Sequence, residues 1–473
     1  MVMGSLRQET QVAVIGSGPG GYVAALRLAD LGKEVVLVEE RDRHGGTCLL
    51  EGCIPSKTLI HAVEVKEAAL AAVSFGLGCT GTSIDLDRLR THTDEVVQGL
   101  SQGVAGLLKR RGVTTVRGRA RFSSNHSLEI ESGEISGVDF EHCIIATGSS
   151  LNRLPPGITN KVWSSADALT LPRVPSTLLV VGGGYIGLEL GLVYQGLGSH
   201  VSVVEFSPHL LPGADHDLVE VMVKSVSRRL DEVLLESKVV AISEEAAGGF
   251  KVRIAHDLEE SERTFDMVLV AIGRRPNTEN LGLEHTGIEV GVRGTIRTNQ
   301  ECRTTEPNIF AIGDVADGPM LAHKASREAK IAAEVICGQP GAFDNRAIPA
   351  VVYTDPEIAW TGLTEREAAA AGTEIRVGRF PLAALGRART LDRTDGLVKI
   401  ICDPATGLIL GVGIVGPHAS ELIAEGTLAI EMGATLEDLI ATIHPHPTLS
   451  EAVLEAAEAA LGSAIHIHPP RRP

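Results

Sequence analysis

The sequence predicts an α/β protein of several domains, and three observations lead there. A unit of strand, glycine turn, helix and strand runs from Gln11 to Glu39. A second unit of the same build runs from Leu178 to Glu205. From about residue 347 the texture changes: Gly396–Cys402 and Ile409–Val415 alternate, and helical stretches follow at Glu421–Met432 and Glu451–Leu461. Period-two alternation marks an antiparallel sheet, so this is a separate C-terminal domain. The 473 residues also exceed the roughly 250–300 at which a single core stops growing, which calls for three or four domains.

In the first unit Val12–Ile15 lead into Gly16, Gly18 and Gly21, and the second strand, Val35–Val38, ends on Glu39. In the second, Leu178–Val181 lead into Gly182, Gly184 and Gly187, and Val201–Val204 end on Glu205. The first glycine makes the tight turn, the second admits a pyrophosphate to the backbone, and the third lets helix and strand pack closely. The helix N-terminus offers free N–H groups and partial positive charge to phosphates. The terminal carboxylate accepts from ribose hydroxyls. One such fingerprint is weak evidence, since glycine turns also arise for structural reasons. Two complete copies predict two Rossmann-like domains and two dinucleotides. Further strands end in small turns at Ile144–Gly148, at Val268–Ile272 before Gly273, and at Asn308–Ile312 before Gly313 and Asp314.

Composition narrows the partners. The net charge of −17 repels phosphate backbones and anionic membranes, which argues against nucleic acid. Aromatics are only 3%, too few for recognition by stacking. No apolar run approaches the ~18 residues of a membrane span, and Arg7–Thr10 do not open a signal peptide, so the expected compartment is the cytoplasm. Of seven cysteines, Cys79, Cys143, Cys302, Cys337 and Cys402 read as isolated small hydrophobes. Cys48 and Cys53 stand apart, within Gly45-Gly46-Thr47-Cys48-Leu49-Leu50-Glu51-Gly52-Cys53-Ile54-Pro55-Ser56-Lys57. Zinc sites need a second ligand pair, and none follows, so no metal is expected. At the start of a helix this spacing puts both sulfurs on one side, and a helix N-terminus favours a thiolate. In a reducing compartment a disulfide is usually catalytic.

These motifs, with Ala146-Thr147-Gly148, Ala311-Ile312-Gly313-Asp314, Met320–Lys324, Tyr353–Trp360 and His444–Glu451, run in order along nearly the whole chain. In them the chain resembles the flavoprotein disulfide reductases, and within that family the lipoamide dehydrogenases. The resemblance implies four domains: FAD-binding (1–148), NAD-binding (149–275), central (276–346) and an α+β dimerisation domain (347–473). It implies a homodimer in which His446 of one subunit reaches the Cys48–Cys53 pair of the other. It implies that Glu39 holds the FAD adenosine ribose, that Lys57 lies by the flavin and pairs with Glu189, and that Asp314 and Ala322 flank the cofactor. Gly118, Thr147 and Gly148 belong by resemblance to the FAD site, and Val239 and Gly273 to the NAD site. The implied reaction oxidises protein-bound dihydrolipoamide and reduces NAD. The implied partners are lipoyl domains and the acyltransferase core of 2-oxoacid dehydrogenase complexes, or the lipoyl protein of glycine cleavage.

Thiol–disulfide exchange needs a base and an acid near neutral pH, and histidine, with a reference pKa near 6.5, suits both. His446 is the candidate, and Glu451 would fix its tautomer and raise its basicity. His444 reads as structural, and His466 and His468 as a solvated end. Glu205 is followed by Phe206-Ser207-Pro208 rather than by arginines, which selects NAD over NADP and weighs against a glutathione reductase. Two positions depart from the family pattern. Leu50 and Glu51 replace a commoner Asn-Val, and Glu51 adds a negative charge that would raise the Cys53 thiol pKa or shift its potential. Pro445 stands where a small residue is commoner. A mercuric reductase would carry a C-terminal cysteine pair, absent here, and a soluble transhydrogenase would lack one of the paired cysteines. A non-catalytic flavoprotein subunit would not need Cys48, Cys53, His446 and Glu451 together.

Overall fold

The computed structural model describes residues 6–131, 135–257 and 259–468. Its first sheet has a parallel core. Thr114–Arg117, Val35–Glu39, Arg7–Ile15 and Gly137–Ile145 lie side by side in that order. The far edge of Gly137–Ile145 is shared. Cys143–Ile145 pair in parallel with Ile309–Ala311, and Gly137–Asp139 pair antiparallel with Ser127–Glu129. Every residue of Val35–Glu39 is buried. One face packs against the helices around Ala24, Val104 and Ala332, and the other against the strands carrying Phe122 and Leu128, so both faces are buried and these strands read as unbroken apolar runs. Arg7–Ile15 has its chain successor on one side and Gly137–Ile145 on the other. That is a topological switch point, where a crevice opens beyond the strand ends.

The second unit repeats the plan with four parallel strands: Glu232–Leu234, His200–Val204, Thr177–Val181 and Met267–Val270. A three-stranded antiparallel sheet, Ser237–Glu244, Phe250–His256 and Glu259–Phe265, adjoins it. The chain leaves the first unit and returns through a two-stranded ribbon, Ser149–Leu151 against Arg274–Pro276. The returning chain then completes the first unit. Helix Ala322–Ile336 packs on helix Pro19–Asp30, joined by an Arg27–Glu334 ion pair at 2.8 Å. A Cβ on Gly20 would already touch Ile312 and Ala325, which shows how close the two helices lie.

The C-terminal part is a five-stranded antiparallel sheet in the order 350–352, 357–362, 409–416, 397–402, 376–381. Helices Ala419–Met432 and Glu451–Leu461 pack on it. Buried Lys399 ties this sheet to the second unit, donating to Asp215 at 2.7 Å, Asp217 at 2.6 Å and Glu365 at 2.9 Å. Arg379 joins Asp217 at 2.8 Å, so two cations meet three carboxylates. Charges buried this way persist only when paired, and unpairing one typically costs about 3–5 kcal/mol. Among the described residues no helix is long and apolar enough to cross a membrane.

Candidate active site

The first glycine turn builds a cradle by leaving no room for side chains. A Cβ on Gly16 would lie 2.5 Å from the Ala146 carbonyl oxygen, and one on Gly21 would lie 1.8 Å from that of Gly16. Helix Pro19–Asp30 begins at Gly18 with no side-chain cap, so its first N–H groups are open to an anion. Buried Glu39 is held by the Ser17 N–H at 2.8 Å, the Ser17 hydroxyl at 2.6 Å and the Arg41 N–H at 3.0 Å. A cavity of about 640 Å³ runs from this turn past Glu39, Gly118, Thr147 and Gly148 to Asp314, Ala322, Cys48, Cys53, Lys57 and Glu189. The Gly118 N–H donates to the Glu39 carbonyl at 2.9 Å. Thr147 and Gly148 are tied to Asn277 by hydrogen bonds of 2.8 and 2.9 Å.

At the far wall Asp314 accepts from the Ser149 hydroxyl at 2.5 Å, and Ser149 accepts from Arg274 Nε at 2.8 Å. Glu328 accepts the Gly313 N–H at 2.7 Å and pairs with buried Lys324 at 2.9 Å, which fixes the loop carrying Asp314. Ala322 opens another helix with no side-chain cap. A long cavity with a phosphate-ready turn, a buried carboxylate near that turn and a hydrogen-bonding wall at the other end fits FAD.

The cysteines lie on two helices, Gly46–Glu51 and Cys53–Ala71, and the helical continuity expected from sequence is broken between them. Gly52 makes the break at φ −141°, ψ −111°. A Cβ there would come within 2.9 Å of the Thr47 carbonyl oxygen. A second close approach pins the segment to the cradle, since a Cβ on Gly46 would be 2.5 Å from Gly18 Cα. Both cysteines are free thiols, close enough that each acts on the other's titration. Cys53 is exposed because it faces the cavity. The pair splits its titration. The hydrogen bond from Cys48, helped by the charge of Lys57, lowers the Cys53 pKa. The same bond, with burial, raises that of Cys48. Glu51 is not among the groups that act most strongly on the Cys53 thiol. Its carboxylate pairs with Arg41 at 3.1 Å, and Cys53 is lowered. Leu50 is buried in the core beneath.

The second cradle has the same geometry. A Cβ on Gly182 would lie 2.5 Å from the Ala271 carbonyl oxygen, and one on Gly187 would lie 2.1 Å from that of Gly182. Helix Tyr185–Leu197 starts at Gly184 without a side-chain cap. Glu205 accepts the Gly183 N–H at 2.6 Å and the Ser207 N–H at 2.8 Å, an arrangement that fits a ribose diol. Gly273 follows the strand Met267–Val270 with φ +97°, a conformation suited to glycine. Val239 is buried in the hydrophobic core of this unit. The same helix reaches the cysteines, because buried Glu189 accepts from Lys57 Nζ at 2.8 Å.

His446 Nδ1 and Glu451 Oε1 lie 2.9 Å apart. Burial pushes the Glu451 carboxyl up, but the Thr448 N–H at 2.8 Å and His446 outweigh it and hold it below its usual range. The His446 side chain is 78% exposed and lines no part of the cavity that holds the cysteines. His444 is a buried partner of Glu425 at 2.7 Å. Pro445 is accommodated in the loop, its carbonyl accepting from the Thr448 hydroxyl at 2.7 Å. His466 and His468 are exposed, as expected of a solvated end, and the His466 ring also contacts the buried carboxylate of Glu455. Sequence reasoning gave no role to Ser17, Ser149, Arg274 or Tyr353. Ser17 lies inside the first fingerprint and Tyr353 opens a quoted motif, so some signal existed for both.

A family model described as pyridine nucleotide-disulphide oxidoreductase matches residues 10–329, and one for the dimerisation domain of that family matches 348–457. The chain belongs to the pyridine nucleotide-disulphide oxidoreductases. It is 46% identical to a dihydrolipoyl dehydrogenase of Haloferax volcanii, over 98% of this chain and 99% of that protein. It is 44% identical to the dihydrolipoyl dehydrogenase of Geobacillus stearothermophilus, over 99% of each. Among solved structures, LpdA from Mycobacterium tuberculosis superposes with a TM-score of 0.86 at 28% identity, over 95% of this chain and 99% of that one.

Proposed function

We propose that this protein is a dihydrolipoyl dehydrogenase, which oxidises protein-bound dihydrolipoamide through the Cys48–Cys53 pair and FAD and reduces NAD. The observation that carries the reading is the contact of the two thiols at the wall of the first dinucleotide cavity, with Lys57 and Glu189 linking that wall to the second dinucleotide unit. FAD, when bound, supplies two-electron transfer between the cysteine pair and a nicotinamide. Every other step belongs to the chain.

His446 takes a proton from one substrate thiol, and Glu451 holds the imidazole and stabilises its charge. The resulting thiolate attacks Cys48 Sγ of the oxidised pair. The Cys48–Cys53 bond breaks and Cys53 leaves as a thiolate beside Lys57. His446 passes its proton to the departing Cys48 thiolate and takes that of the second substrate thiol, which displaces Cys48 and closes the lipoyl disulfide; His446 then releases this second proton to solvent. Two electrons and one proton now sit on the pair, with Cys48 donating its hydrogen bond to the Cys53 thiolate.

The dimerisation domain supports a homodimer. The exposed His446 supports a site completed by a second subunit. Lipoyl domains on an acyltransferase core, or the lipoyl protein of glycine cleavage, are the expected substrates' carriers. A cytoplasmic setting is supported by the catalytic use of a disulfide. The deciding experiment is a steady-state assay with NAD and dihydrolipoamide, run beside NADPH with glutathione disulfide. Turnover with the second pair alone would refute the reading.

A further inference from the structure

Two groups from distant parts of the chain hold the Lys57 ammonium. Its Nζ donates to Glu189 Oε2 at 2.8 Å and lies 4.5 Å from the centre of the Tyr353 ring. Tyr353 also closes the triangle, its own N–H donating to Glu189 Oε1 at 3.0 Å. Lys57 comes from the cysteine helix and Glu189 from the helix of the second glycine turn. Tyr353 follows the strand Ala350–Val352 of the five-stranded sheet. The buried carboxylate has a partner on each oxygen and is fixed. A lysine is not fixed by one carboxylate alone, because its four-carbon stem and three donors let the charge pivot. An aromatic face attracts the cation and removes that freedom.

We propose that Tyr353 is a positioning residue: its ring holds the Lys57 ammonium beside Cys53 and so sets how strongly the Cys53 thiolate is stabilised. The proposal rests on the reading of Cys48 and Cys53 as the redox pair facing FAD. The groups around Cys53 are Cys48 from the preceding helix, Lys57 one turn on, Glu189 and Tyr185 from the second helix, and Tyr353. Glu357 and Glu421 face Tyr353 in turn. Lys57 is the cation of this set. Lys57 lowers the Cys53 pKa while Glu189 raises it, so the outcome depends on where the ammonium sits between them. An ammonium that swings away leaves Glu189 to act on the thiolate alone. The dimerisation part of the chain therefore acts on the redox pair of its own subunit, by a route separate from His446.

The test uses Cys48→Ser holoenzyme, in which Cys53 is the remaining thiol of the pair. A thiolate against an oxidised flavin absorbs at long wavelength, and the pH midpoint of that band reads the Cys53 pKa. Adding Tyr353→Leu should move the midpoint up by about one pH unit, a roughly tenfold loss of thiolate at fixed pH. Tyr353→Phe keeps the ring and should restore the midpoint. In a Lys57→Gln background, Tyr353→Leu should produce no further shift, because the coupling runs through Lys57. Where Tyr353→Leu melts below the assay temperature, Tyr353→Met replaces it. An unchanged midpoint with the ring removed, an equal shift in the Phe and Leu variants, or a full shift without Lys57 would each overturn the proposal. Absence of any long-wavelength band at every pH would instead remove Cys53 from the flavin, and the reading beneath the proposal would fall with it.

Discussion

The two pairs of reacting groups have the same sequence spacing and opposite surroundings. Cys48 and Cys53 meet across one helix junction and line the cavity that starts at the first glycine turn. His446 and Glu451 meet at 2.9 Å, yet the imidazole stands in the open and touches no part of that cavity. On the proposed reading the electron path runs through that cavity, while the proton path ends at a surface. Leu428, Met432 and Ile443 are also exposed, at 63%, 76% and 95%. Large apolar side chains left exposed in a matched dimerisation domain call for a covering surface. A motif can be structurally finished while its chemistry still lacks a partner.

The largest effects should separate the two paths. Cys48→Ser should reduce dihydrolipoamide turnover by more than about 10⁴-fold, because it removes the attacked sulfur. NADH should still reduce the bound flavin in that variant, since the route from nicotinamide does not use Cys48. Stopped-flow flavin absorbance beside a steady-state assay checks both halves. Near-normal turnover would remove Cys48 from the mechanism. His446→Gln should cost about 10²–10⁴-fold in turnover, the usual range for a lost general base, and should likewise leave reduction by NADH intact. A variant slow in both half-reactions would mean that the paths are not separate.

A smaller effect comes from the two terminal carboxylates. Glu39 is buried and held by Ser17 and Arg41. Glu205 is only half-buried, and its two oxygens take the N–H groups of Gly183 and Ser207. A 2′-phosphate beside Glu205 should cost a few kcal/mol, which at about 1.4 kcal/mol per tenfold gives NAD a preference of about 10–100-fold in kcat/KM. Glu205→Gln should narrow that ratio, and equal kcat/KM for NAD and NADP in the unaltered enzyme would contradict the assignment.

What the sequence disclosed follows a physical line. Gly16, Gly21, Gly182 and Gly187 were legible because a Cβ at each would strike backbone within about 2.5 Å, leaving glycine as the only choice. The helix Glu451–Leu461 was legible because its apolar period is uninterrupted; the strand from Ile409 was legible as an apolar run, though it is buried at nearly every position and does not alternate as expected. Gly52 was not. An isolated glycine in a helical pattern gives no sign of whether it is tolerated or breaks the helix, and only contact with Thr47 decides. The partner of Glu51 was not legible, because sequence shows its nearness to Cys53 but not the pull of Arg41. The contact of His466 with Glu455 was not legible, because Glu455 looks like any charged helix position until burial is known. Tyr353 and Lys399 act only through residues far away in the chain, and local pattern carries no trace of such contacts.

The smallest expected effect is the most discriminating, because it asks where His446 works. Combine one Cys48→Ser subunit with one His446→Gln subunit in a tagged hybrid dimer. If each site lies within one chain, the first site lacks Cys48, the second lacks His446, and the hybrid is dead. If His446 serves the partner subunit, the lesions redistribute. One site receives both, and the other pairs an intact Cys48–Cys53 with an intact His446. The hybrid should then retain about half the activity of an unaltered dimer, given independent sites. Both parent homodimers, expected at background, are the controls, and flavin content must be equal in all three. The exposure of His446 and its absence from the cysteine cavity favour the second outcome. A folded, FAD-loaded hybrid at background would place the proton path within one chain, and the open surface around His446 would then have to close by a movement of that chain itself.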